Sequence, residues 1–398
     1  MVQDRDFTAG NFGVVADHPE LVDINYVGLA GQGADWTHAN AIDYNEQFDQ
    51  IVISVRHHSE LWVIDHSTTT ADAAGHSGGN SGMGGDILFR WGNPQAYRAG
   101  DANDQQLYLQ DDVRWIKPGL PGAGNLMVLN NGNSRPGGEY SSVEEIKLSV
   151  DGSGNYSLTP REVYGPSAPS WTCTAANPPD FFSLFASGAH RLPNGNTFIT
   201  SAADGTLFEV TGANATVWKY VNPVTIQGPI VEGTSASGNA VFRAHRYAPD
   251  FPGLLGRDLT PQGQIEIKDS DKDGLTDEAE SIRGTNPFIA DTDGDGCRDG
   301  SEVLLAVELG GVRDQLNPWD FYDVDGPGGG PDGIIDFLFD IFGVIQHYSP
   351  QGDPPYDVAF DRGPTAGPNA WNMTAPDGSI DLLNDILGVI RQHGHDCT

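Results

Sequence analysis

The sequence predicts a mainly β protein, a propeller of four-stranded blades followed by a small region of calcium loops and helices. Three observations carry that prediction. Residues 1–265 are built from short alternating apolar segments divided by turn residues, with no long helical periodicity. One order of four such segments recurs three times. After Pro261 the composition shifts to aspartate, glycine and proline.

The first repeat reads ADWTHANAIDYN, QIVISVRH, ELWVIDH and DILFRWG. The second reads LQDDVRWIKP, NLMVLNNG, SVEEIKL and SLTPREVYG, and the third SGAHRLPNG, NTFITSA, GTLFEVT and ATVWKYVN. Their second strands begin at Gln50, Asn125 and Asn196. An aromatic recurs in the fourth strand (Trp91, Trp218), which favours blades over an ordinary β-sandwich. Three blades and a partial fourth do not close a ring, and open strand edges pair promiscuously. Further blades before Met1, or sheets from other chains, are therefore expected to complete it.

The innermost strand of each blade faces the channel. Aligning the blades on Ile42, Ile116 and Leu192 brings His38, the Asp111–Asp112 pair and Ser187–Gly188 to equivalent positions. His38 and Asn40, two residues apart on a strand, share a face. Arg56, Arg135 and His190 are candidates to converge on the same funnel.

Composition narrows the function. The formal charge is −34, of which residues 266–398 carry −20 with 27 acidic and 7 basic side chains. Such a field repels nucleic acid and anionic membranes and attracts divalent cations. No run of about 18 apolar residues is present to span a membrane. Cys173, Cys297 and Cys397 are too few and scattered for a disulfide framework or a zinc site. No signal peptide follows Met1, so an export signal upstream is expected if the calcium loops work outside the cell.

The segments DWTHANAIDYNEQFDQIVISVRHHSELWVIDHSTT, RWGNPQAYRAG, WIKPGLPGAGNLMVLNNG, SGAHRLPNGNTFI and VWKYVNPV resemble the arylsulfate sulfotransferase family of marine and planctomycete-type bacteria. The resemblance spans most of residues 11–260. It implies a six-bladed propeller that moves a sulfuryl group from a phenolic sulfate to a phenol through a sulfated histidine, without a nucleotide donor. By that resemblance His38 and Asn40 fit a His-x-Asn strand, Arg56 a Ser-x-Arg segment, and Asn131 with Arg135 an Asn-Gly…Arg loop. The family's Gln-His-Asp segment reads Gln110-Asp111-Asp112, so Asp111 replaces a histidine. A carboxylate there opposes a sulfate by like charge. His190 is the nearest candidate for a nucleophile, and Arg243, His245 and Arg246 follow in FRAHRYAPDFPG.

Two twelve-residue runs come next, DSDKDGLTDEAE and DTDGDGCRDGSE. Oxygen ligands stand at positions 1, 3, 5, 9 and 12, with glycine at 6 for the sharp bend. These are Asp269, Asp271, Asp273, Asp277 and Glu280 around Gly274, and Asp291, Asp293, Asp295, Asp299 and Glu302 around Gly296. With the intervening Gly284–Pro287 they resemble thrombospondin type 3 calcium repeats. The last duplication pairs DGIIDFLFDIFGVIQHY (332–348) with DGSIDLLNDILGVIRQH (377–393). Each reads as an Asp-Gly turn leading into a helix, with apolar stripes Phe337, Leu338, Ile341, Phe342, Ile345 and Leu382, Leu383, Ile386, Leu387, Ile390 expected to form core. This looks like a dockerin-type pair, with Asp323, Asp325, Asp332 and Asp336 as candidate ligands.

The expected division is 1–265 propeller, 266–312 calcium repeats and 313–398 helix pair. The function expected is a secreted or cell-surface arylsulfate sulfotransferase-like protein, acting on phenolic sulfates and phenols. Its helix pair would attach it to a protein or matrix partner. The alternative is an inactive propeller in a calcium-dependent structural, adhesive or self-assembling protein.

Overall fold

The computed structural model describes residues 14–23, 25–26, 34–157, 159–261 and 263–398; the start of the expected first domain, residues 1–13, lies outside them. The chain forms two compact units, Met1–Gln227 with Ala236–Pro261, and Gly228–Ser235 with Gln262–Thr398.

The first unit holds three four-stranded antiparallel blades, each laid down in chain order. The first contains β1 (Ala39–Asn45), β2 (Gln50–Val55), β3 (Glu60–Asp65) and β4 (Ile87–Trp91). The second contains β5 (Asp111–Trp115), β6 (Leu126–Asn130), β7 (Ser142–Ile146) and β8 (Trp171–Cys173). The third contains β9 (Gly188–Arg191), β10 (Thr197–Ser201), β11 (Thr206–Val210) and β12 (Thr216–Val221). A further partial blade has no four-stranded counterpart among the described residues.

One strand departs from expectation. The fourth strand of the second blade is not SLTPREVYG but Trp171–Cys173, where Val143 pairs with Cys173 and Glu145 with Trp171. Pro160 has no N–H for a ladder, and Arg161 beside it is left-handed (φ 69°), so that run turns instead of pairing.

Packing explains why β6 shows no polar alternation. Leu126 and Val128 face the first blade with Val52, Leu61, Val63 and Trp91. Met127 and Leu129 face the third with Ala189, Ile199 and Val210. A strand buried on both faces reads as a continuous apolar run. The ion pair of Arg90 with Glu60 is fully buried in the first blade; Arg90 also donates to the Pro19 and Leu21 carbonyls, tying the preceding segment to the sheet.

In the second unit, the helix Asp277–Arg283 starts at a Thr276 cap and stops at left-handed Gly284. The two Asp-Gly duplications are joined by short antiparallel bridges at equivalent places. Ile335 and Gly394–His395 exchange backbone bonds of 3.0 and 2.8 Å, while Ile380 and Ser349 exchange bonds of 2.9 and 3.0 Å. Their core contains Cys297, Phe321, Tyr322, Ile335, Ile341, Val344, Met373, Ile380, Val389 and Cys397.

Two expectations need correction here. Cys297 and Cys397 form a disulfide across 100 residues, a single staple that local spacing did not reveal. The helical stripes also form core only in part, through Ile341 and Ile386. Phe337, Leu338, Phe342, Ile345, Leu382, Leu383 and Ile390 are exposed. The first turn of each helix (Phe337–Ile341, Leu382–Ile386) is π-wound before α continues at Phe342–Gln346 and Leu387–Arg391. The wider turn rotates the register, so Val344 and Val389, outside the expected stripes, point inward together with Ile341.

Candidate functional site

The inner strands of the first two blades carry a shared distortion. β1 and β5 each slip register against their neighbours, at Ala39/Ala41 and Asp111/Arg114. His38 (φ 44°) and Asp112 (φ 55°), equivalent in the blade alignment, are both left-handed. The third blade places Ser187 (φ 84°) one residue earlier. Bulges of this kind turn side chains out of the regular pleat.

Arg56 lies at the centre. Its guanidinium donates to Asp111 Oδ2 at 2.7 Å, Asn131 Oδ1 at 3.1 Å, and the Leu109 and Leu184 carbonyls. Asn131 in turn donates to the Ser183 and Ala186 carbonyls. Asn40 donates to the Gln110 carbonyl at 2.8 Å, and its own Oδ1 is buried without a partner. His38 bonds to Asp35, stacks 4.8 Å from His57, and lies near enough to act electrostatically on Asp111. His38, Asn40, Arg56 and Asn131 are therefore brought together around Asp111. Arg135 is not with them. It donates to Tyr140 and Ser142 and lies over the Tyr108 and Tyr140 rings.

His190 belongs to an adjoining cavity of about 410 Å³, lined in part by Asp112, Arg114, Lys117, Arg243 and His245. Its Nε2 accepts from the Arg246 N–H, and its ring lies 5.3 Å from His245. Arg243 joins the two halves, 3.1 Å from Asp112 and 3.9 Å from Asp111. Sequence spacing did not place Arg243 here, because it comes from a segment beyond the third blade, whereas Arg114 pairs with Asp112 within β5. Gly188 is where a side chain would fail. An added Cβ would overlap the Asp112 carboxylate, whose Oδ2 accepts from Ala189 N–H at 3.0 Å.

Burial dominates the electrostatics. It pushes Asp111 up to about 7 against the pull of Arg56 and Arg243, and lowers His190 to about 4. A neutral imidazole is nucleophilic, and a cationic pair can neutralise anionic oxygens. The carboxylate at 111 works against the second task while it is charged.

The other candidate centre is the pair of acidic loops. Asp269, Asp271 and Asp273 converge, as do Asp291, Asp293 and Asp295; a further group joins Asp295 and Glu302 to Asp320. Both oxygens of Asp271, Glu280 and Glu302, and Oδ2 of Asp293, are buried with no hydrogen-bond partner. Unpaired buried carboxylate oxygens are costly, so the residues fit a hard cation taking six to eight oxygens. Bound there, the cation would neutralise the clustered charge. Burial and mutual repulsion push Glu280 up to about 7, Asp293 to about 6, Asp295 to about 8 and Glu302 to about 11.

Position 9, like positions 1 and 5, is held by donors of its own loop. Asp277 accepts from Ser270 N–H and hydroxyl, and Asp299 from Thr292 N–H and hydroxyl, so each closes its own loop. Asp323, Asp325, Asp332 and Asp336 form no three-ligand group among the described residues. They accept backbone N–H groups, Asp323 Oδ2 from Asp332 and Gly333, Asp325 from Gly326 and Gly330, Asp332 from Ile334, and Asp336 from Phe339, while Asp323 Oδ1 is buried without a partner. Asp340 and Asp385 do the same at equivalent places, accepting from Asp336 and Asp381, each at 2.7 Å.

Among the described residues no helix is long and apolar enough to cross a membrane. The bacterial TSP3 repeat model matches residues 269–288, the first acidic loop and the helix after it. No curated protein matches the chain. A protein of unknown function from Bacteroides caccae is similar at 14% identity and TM-score 0.24, over 46% of this chain and 45% of its own. Hydrazine synthase from Kuenenia stuttgartiensis is similar at 9% identity and TM-score 0.26, over 48% of this chain and 39% of its own. The chain thus spans less than half the length of either. The arylsulfotransferase (ASST) model matches residues 22–246, taking in all three blades, His38, Arg56 and Asp111. With that match covering more than half of its residues, the chain belongs to the arylsulfotransferase family.

Proposed function

We propose that the chain is a secreted arylsulfate sulfotransferase-like protein whose funnel receives phenolic sulfates, joined to a calcium-stiffened attachment module. The convergence of His38, Asn40, Arg56 and Asn131 from two blades carries the reading. Over the two steps the sulfur–oxygen bond to the donor phenol is exchanged, by way of a sulfated imidazole, for one to the acceptor phenol, and the acceptor's proton leaves with the donor phenolate. Arg56 and Arg243 are the groups able to neutralise the sulfuryl oxygens. The three-part division at 265 and 312 is retained as part of this reading. Extracellular location is supported by the TSP3-type repeat. Attachment is supported by the exposed Phe337–Leu338 and Leu382–Leu383 pairs, the same positions in both copies of the duplication.

A second reading has its own observation. The Arg56–Asp111 ion pair engages the arginine with a carboxylate, which favours a propeller without turnover in a calcium-dependent structural or adhesive protein. Incubating the full chain with an aryl sulfate and a phenol separates the two. Release of the donor phenol, or its gain in Asp111→His, supports transfer. No turnover in either protein refutes it and leaves the structural role.

A further inference from the structure

The second acidic loop has a partner that the twelve-residue motif does not contain. Asp320, eighteen residues beyond the position-12 glutamate, places a carboxylate oxygen within 4.8 Å of ligand oxygens from both Asp295 and Glu302. Glu302 and Asp320 are each 0% exposed. Neither Glu302 oxygen has a partner, nor has Asp320 Oδ1. The other Asp320 oxygen accepts from Asp314 N–H at 2.9 Å, which fixes the carboxylate and aims the free oxygen at the group.

Arg313 is the neighbouring cation, yet it does not satisfy these oxygens. Its Nε donates to the Asp320 backbone carbonyl, Nη1 to the Gly311 carbonyl, and Nη2 to Gln392 and His395. Two buried carboxylates with free oxygens, Glu302 and Asp320, stand beside Asp295 with no donor to those oxygens, and describe a site for a cation other than Arg313.

We propose that Asp320 is a ligand of the divalent cation held by the second loop, recruited from outside the motif. The inference rests on the reading of these loops as calcium sites and adds to it. The first loop has no counterpart. Aligning Asn286-Pro287 with Asn317-Pro318 puts Ile289, half exposed, where Asp320 stands. The second site therefore has one more anionic ligand than the first, and that ligand immediately precedes the fully buried Phe321 and Tyr322. A cation bound there fastens the loop to the core of the helical module.

Calcium titration of the chelated full-length chain, followed by calorimetry, tests this. Asp320→Asn should weaken one of two loop sites by about tenfold or more and leave the other unchanged. Asp353→Asn, which alters an exposed carboxylate outside both loops, should leave both unchanged. Should Asp320→Asn fail to fold, a crystal structure of the wild-type chain soaked in calcium decides. An ion about 2.3–2.6 Å from Asp320 supports the inference. An ion in the loop that Asp320 does not touch, or identical titrations, overturns it alone. No ion in either loop overturns the calcium reading as well.

Discussion

Replacing Asp111 by asparagine keeps the side-chain shape and removes one charge from the funnel. Asp111 is 3% exposed, and burial pushes its carboxyl up to about 7 although Arg56 lies 2.7 Å away. A sulfate entering beside Arg56 faces two options. Against a charged carboxylate about 4 Å away, at an effective dielectric of about 20, the repulsion is about 4 kcal/mol. Keeping a group of pKa near 7 neutral at pH 8 costs only about 1.4 kcal/mol, so the site takes up a proton instead. Aryl sulfate binding to the wild type should therefore weaken about tenfold from pH 6 to pH 8. The Asp111→Asn protein should bind about tenfold tighter than wild type at pH 8 and nearly equally at pH 6. Calorimetric titration with 4-nitrophenyl sulfate at both pH values reads this, and the ratio of the two proteins cancels other titrating groups. A ratio that does not change with pH would refute the argument, because it would show that Asp111 does not titrate where the anion binds.

Three further outcomes are expected. Cys397→Ser opens a loop of 100 residues, for which chain entropy gives about 4.7 kcal/mol, so urea denaturation of the second unit should show a loss of about 3–5 kcal/mol; a loss below about 1 kcal/mol would mean the metal-free loops already hold the ends together. Gly188→Ala should displace the Asp112 carboxylate from Ala189 and Arg243 and cost about 1–3 kcal/mol in thermal unfolding of the first unit, whereas an unchanged midpoint would contradict the close packing. Calcium should raise the melting temperature of the second unit more at pH 8 than at pH 5. The carboxyls of Glu280, Asp293, Asp295 and Glu302 are all raised on folding, so the metal-free native state holds protons that the unfolded chain loses above about pH 4. Its stability therefore falls as pH rises from about 4 through 8 and on toward about 11, while calcium displaces those same protons. A larger calcium shift at pH 5 would reverse that sign and count against the assignment.

What the sequence shows in advance follows the range of the interactions. Eleven of the twelve blade strands appear as runs bounded by turns, since a buried strand and its turn residues are local properties. β8 is missed because Trp171–Cys173 is short and a more apolar-looking run around Pro160 precedes it. The convergence of the carboxylates at positions 1, 3 and 5 is legible because one bend brings them together. Asp320, the Cys297–Cys397 bond and Arg243 are not, because their partners come from distant segments. The exposed helical face is hidden for another reason. A period of 3.6 assumes α-winding from the first residue, and here the first turn is π.

The two acidic loops share nearly the same letters and differ in what they hold. In the first, Asp273 Oδ2 accepts from Gly300 N–H at 2.8 Å, so its position-5 carboxylate hooks the backbone of the second loop. In the second, Asp295 Oδ2 accepts from Phe321 N–H at 3.1 Å, hooking the start of the helical module by the equivalent atom. The loops thus form a head-to-tail series in which the helical module takes the place of a third repeat. The series is fastened more strongly at its far end, where the disulfide begins at Cys297 within the second loop and Asp320 faces Glu302. Removing the cation leaves the second loop with a covalent anchor and a backbone hook into a buried core, while the first keeps its hook onto the second and the backbone bridge of Ile267 to Val231. The same carboxylate repulsion is thereby opposed by different amounts of structure. Order lost on chelation should begin at Asp269–Glu280 and reach the helical module last.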